Sequence, residues 1–112
     1  MDEVIARLKR EKEESENNYQ ELGKADGQKW ANAAHYTHLE YVATKEGSFV
    51  DELDSTTDKV LGEYFTGVIE EHPFMHYEDK YNRRRTNDCF DSWLRGWEDA
   101  VVEFWNKVSP EL

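Results

Sequence analysis

The stretch DCFDSWLRGWEDAVVEFWNKV, residues Asp88–Val108, decides the fold. Its apolar residues are Phe90, Trp93, Leu94, Trp97, Val101, Phe104, Trp105 and Val108, the i, i+3, i+4, i+7 recurrence of one helix face. Three of the chain's four tryptophans lie on that face. So much aromatic area must be covered, by the chain's own core or by another chain. Asn87 or Asp88 caps the start of this helix, and Pro110 stops it.

Working back from there, residues 72–86, HPFMHYEDKYNRRRT, hold no steady period. Phe74, Met75, Tyr77 and Tyr81 make them too apolar for a free linker, so they read as an ordered loop. Pro73 ends the helix before it, because proline disfavours α conformation in the preceding residue. Phe49, Val50, Leu53, Val60, Leu61, Tyr64, Phe65, Val68 and Ile69 share a helical face over residues 49–71. Ser48 with Asp51 and Ser55 with Asp58 both match a capping signal, which leaves one helix or two there. Gly47 reads as the stop of the helix before. The segment HYTHLEYVATKEG either continues the first helix or follows a break near His35.

The first segment, Asp2 to about Ala43, opens with strong helix formers and interleaved charges. Met1, Ile5, Leu8, Lys12, Ser15, Tyr19 and Leu22 fall on a heptad seam that is polar in its middle. With so thin an apolar face, residues 1–18 read as a protruding arm that pairs with another chain. Further on, Gly23, Gly27 and Ala31 recur every fourth residue beside Trp30, and Ser92, Gly96 and Ala100 repeat that spacing in the last helix. A glycine within a helix costs roughly 0.8–1 kcal/mol relative to alanine. Two strips of small residues therefore predict two helices in close approach. Few β-branched runs leave little room for a sheet.

Length and composition bound the function. A chain of 112 residues predicts one helical domain over 1–112. The single cysteine, Cys89, excludes an internal disulfide and fits a reducing cytoplasm. No secretory signal opens the chain, and no apolar run approaches the ~20 residues of a membrane span. The formal charge of −11 opposes direct nucleic-acid binding, which relies on displacement of counterions by Lys and Arg. Between Glu40 and Asp79 only Lys45 and Lys59 oppose the acids, and the basic cluster Lys80, Arg83, Arg84 and Arg85 follows. The cluster reads as a solvated loop that satisfies nearby carboxylates, or more sharply as a docking patch for an acidic surface.

Chemistry is harder to find. The histidines pair as His35-x-x-His38 and His72-x-x-x-His76, and i, i+3 spacing puts two imidazoles on one helix face. Together the four are candidate ligands for a divalent metal. Cys89 and Arg95 have the spacing of cysteine-dependent phosphatases, but no glycine lies between them to form a phosphate cradle. No phosphate-binding, dinucleotide-binding or nucleophile-elbow motif occurs.

The sequence therefore predicts an all-α, antiparallel bundle of three to four helices with a long N-terminal helix. It predicts a non-catalytic protein that acts by protein–protein contact, most simply as a homodimer, and whose acidity would select a basic partner. The expected interface or packing residues are Gly23, Gly27, Trp30, Ala31, Trp93, Gly96, Trp97 and Trp105. The alternatives are a metal-binding protein or metal-dependent enzyme on His35, His38, His72 and His76, and an acidic mimic of a nucleic acid.

Overall fold

A computed structural model describes residues 1–44 and 59–112. Four α-helices carry the described fold: α1 (Asp2–Ala33), α2 (Tyr36–Thr44), α3 (Lys59–Glu71) and α4 (Asp88–Val108). Between α3 and α4 lie a 3-10 turn at Pro73–Met75 and two short strands, β1 (His76–Glu78) and β2 (Arg84–Thr86). The Gly47 stop and the capping signals at Ser48 and Ser55 lie outside the described residues.

Each boundary has a local cause. Helix α1 ends at Ala34, whose extended backbone breaks the hydrogen-bond ladder. His35 then caps α2: its carbonyl accepts from the amides of His38 and Leu39, and its Nδ1 accepts from the amide of Thr37. Pro73 lies two residues beyond the end of α3. At α4 the cap is Asn87, whose side-chain oxygen accepts from the amides of Cys89 and Phe90 at 3.0 and 3.3 Å. Its side-chain amide reaches back to the Phe74 carbonyl at 2.6 Å, which ties the start of α4 to the turn before it.

The loop expected over residues 72–86 contains a small antiparallel hairpin, in which His76 faces Thr86 and Glu78 faces Arg84. Asp79 builds its turn. The Asp79 Oδ1 accepts from the amides of Tyr81 and Arg83, and Asn82 takes the left-handed conformation (φ 59°) that asparagine tolerates.

The core sits where α1, α3 and α4 meet. Phe65, Met75, Phe90, Trp93, Leu94, Trp97 and Val101 are essentially inaccessible. Trp93 and Trp97 stack with centroids 6.2 Å apart, and Phe65 meets Trp97 edge-on at 5.0 Å. Such aromatic pairs contribute about 0.5–1.5 kcal/mol beyond the area they bury. Leu39 and Val42 of α2 close the core where α2 packs on α4.

Successive long helices alternate in direction, so α1 and α4 run parallel. The two small-residue strips lie face to face along them: Gly23 meets Trp93 and Gly27 meets Trp97. A Cβ added at Gly23 would fall on the Trp93 carbonyl, and one at Gly96 on the Gln20 carbonyl. These glycines are required by backbone-to-backbone approach, and the tight packing of α1 on α4 offsets their propensity cost. Helix α3 runs against both, with Tyr64 beside Trp30 and His72 beside Tyr19.

Candidate interaction end and the groove beside it

Trp93 and Trp97 are wholly buried within the chain, so the aromatic face of α4 is core along its first half. Trp30 and Trp105 are half-buried at its edge, and Ala31 is buried against it. The expected packing residues thus gather in one place. Trp93 and Trp97 therefore present no surface to a partner, whereas Trp30 and Trp105 keep part of theirs open.

Two polar contacts pin the core. Trp93 donates its indole N–H to Asp26 Oδ2 at 2.9 Å, and Trp97 donates to the Tyr64 hydroxyl at 3.2 Å. Burial pushes the Tyr64 hydroxyl above its ordinary range, and the negative charges of Asp26 and Glu71 push it further while the Trp97 indole opposes. Asp26 and Tyr64 line an open groove of about 660 Å³ between α1 and α3, floored by Trp30. Glu63 and Glu71 stand on its α3 side, and Lys29 faces them from α1.

The histidines do not converge. His35 and His38 lie at the start of α2, with ring centroids 6.5 Å apart. His72 sits edge-on to Tyr19 at 6.4 Å. Tyr19 and Ala33 are fourteen residues apart on α1, so about 21 Å of helix separates that site from the α2 pair. His76 begins β1. Among the described residues no three His, Cys, Asp or Glu side chains are grouped to hold a metal ion.

Cys89, in the first turn of α4, is partly buried. Burial raises the thiol above its ordinary range, and the nearby Glu16 and Asp88 carboxylates add to the rise. That is the opposite of an activated nucleophile, which needs a depressed thiol pKa. Arg83 and Arg85 both reach Asp79 Oδ2 with Nε, at 3.0 and 3.1 Å, while Arg84 pairs with Glu70 at 3.7 Å. The basic cluster therefore satisfies neighbouring carboxylates. Lys80 and Arg83 also flank the exposed Tyr81 ring, each 5.1 Å from its centroid.

Exposed apolar surface is unevenly distributed. Of the ten large apolar side chains exposed among the described residues, four lie at the start of α1: Met1, which precedes the helix, and Val4, Ile5 and Leu8 on its first turns. Three more, Phe74, Tyr77 and Tyr81, lie on the turn and hairpin. Both groups are rooted at the same end of the bundle. Lys12 bridges to Asp88 at 3.4 Å there, and Asn87 bonds to Phe74 and Met75. Every residue from Met1 to Glu14 is exposed, so α1 projects beyond the bundle as an arm. No helix among the described residues is long and apolar enough to cross a membrane. No protein-family model, curated protein or solved structure matches the chain.

Proposed function

We propose that this chain is a non-catalytic, cytoplasmic interaction protein that binds protein surfaces, a second copy included, through the end of the bundle carrying the α1 arm and the hairpin. One observation carries this reading: among the described residues, seven of the ten exposed large apolar side chains lie at that end, four on the arm and three on the turn and hairpin. Scattered exposed apolar residues are ordinary, whereas a gathered set marks a surface that associates. Three polar groups support it from the other side. Asp26 serves an indole, Asp79 serves the hairpin turn, and the Cys89 thiol stays protonated at neutral pH.

Site-specific photo-crosslinking in the cells that make the protein tests the reading. A photoreactive residue at Leu8 or Tyr81 should capture protein, and one at Glu103, exposed on α4, should capture far less. Equal or absent capture at all three positions would sink the proposal.

A further inference from the structure

The exposed stripe on the arm continues a face that is packed further along the same helix. Leu22 and Tyr19 turn towards the bundle, and Ser15 and Glu16 are the first residues of α1 to lose solvent. Stepping back by heptads from Tyr19 and Leu22 leads through Ser15, Lys12 and Leu8 to Ile5 and Met1. Among the described residues the bundle ends near Lys12, and the apolar face runs on without cover. A helical arm of about twelve residues is marginal in water without a partner for such a face.

We infer that the cover is the arm of a second copy, laid antiparallel about a two-fold axis between Ala6 and Arg7, with Ile5 of each arm against Leu8 of the other. This rests on the proposed function and names its partner. Charge selects the orientation. In a parallel, in-register pair Lys12 would meet Lys12, and Glu11 would flank Glu16 of the second arm, both like-charge contacts. It would also drive two bundles into each other, because the shared face is already occupied from Tyr19 onward. The antiparallel pair removes both conflicts. It sets Asp2 of each arm beside Lys9 of the other and places the two bundles at opposite ends.

The structure also holds a seat for the far end of the second arm. A recess of about 320 Å³ lies between the root of the arm and the start of α4, with Leu8, Lys12 and Cys89 in its wall and the carboxylates of Glu11, Glu16 and Asp88 around it. In the antiparallel register Met1 of the second copy lies against Lys12 at this recess. Lys12 is already turned to suit: its ammonium reaches Asp88 at 3.4 Å and Glu16 at 3.6 Å, which leaves the aliphatic stem for an apolar neighbour.

Disulfide trapping reads the register directly. Chains carrying Cys89→Ser with either Ile5→Cys or Leu8→Cys are mixed in equal amounts in a glutathione redox buffer, one of them isotope-labelled. The mixed 5–8 disulfide should dominate over the 5–5 and 8–8 species. Dominant 5–5 and 8–8 species would indicate a parallel pair and overturn the inference. Native mass spectra of the untagged chain should show a dimer that grows with concentration, and Leu8→Glu should weaken it at least tenfold. Leu8 is half exposed, so this variant still folds. A monomer at all concentrations would overturn the pairing; capture of other proteins at Leu8 would then leave the proposed function standing, and its loss as well would end both.

Discussion

Trp93 of α4 donates its indole N–H to the carboxylate of Asp26 on α1, across 2.9 Å and a sequence separation of 67 residues. The indole is wholly buried while Asp26 stands at the wall of the α1–α3 groove. The bond therefore locks the rotation of α1 against α4 at the level where the glycine strips touch. Asp26→Ala would leave the buried N–H without its acceptor, at a cost of about 1–3 kcal/mol. Asp26→Asn keeps an acceptor oxygen and should cost less. Urea unfolding of the two variants checks this, and equal losses would assign the effect to charge instead.

The glycines sort by what lies opposite them. Gly23→Ala and Gly96→Ala push a methyl group into a backbone carbonyl that cannot move away alone. Each should cost about 3 kcal/mol or more, the upper range for overpacking. Gly67 on α3 has nothing within 4 Å of an added Cβ, so Gly67→Ala should raise stability by about 0.5–1 kcal/mol. Thermal unfolding of the three variants decides it. A neutral Gly23→Ala would mean that α1 and α4 lie further apart than described.

The hairpin should depend on acid. Asp79 is partly desolvated, which alone would raise its pKa, but the amides of Arg83 and Tyr81 and the side chains of Arg85 and Arg83 outweigh this and hold it below the ordinary carboxylate range. A group depressed in the folded state stabilises it above the unfolded pKa, about 3.9 for aspartate. That contribution is lost as pH falls through the lower folded value. The amide resonances of Tyr81 and Arg83 should therefore hold their positions down to about pH 4 and shift below it. Asp79→Asn should flatten that dependence.

Cys89 should react slowly. With its thiol raised by burial and by Glu16 and Asp88, alkylation at pH 7.5 should run well below the rate of a free thiol. The rate should still climb beyond pH 9, above the ordinary cysteine value of about 8.5. A rate plateau near pH 7 would instead reveal a thiolate stabilised by the helix N-terminus.

Much of this was readable in the residues themselves. The period of Phe90, Trp93, Trp97 and Val101 declares α4 and its buried face, since a helix must cover such a stripe whatever covers it. Pro73, Pro110 and Asn87 act through their own backbone or side-chain chemistry, and the helix boundaries follow them. The hairpin was harder to see. Its strands are three residues each, too short for a period to register, and its one signal is the Asp79 to Asn82 turn between Tyr77 and Thr86.

Sequence alone determined that helices form, which faces are apolar, and that two strips of small residues call for close approach. These are properties of neighbours three or four positions apart. Only the tertiary structure decided that Gly23 meets Trp93, that Asp26 serves the Trp93 indole, and that the His35–His38 pair is held away from His72. Such pairings depend on which apolar face covers which, and several pairings bury similar area. Steric fit and hydrogen-bond geometry select among them. The apolar arm shows the same division: its stripe is legible in the sequence, while its exposure becomes visible only once the described bundle is seen to stop at Lys12.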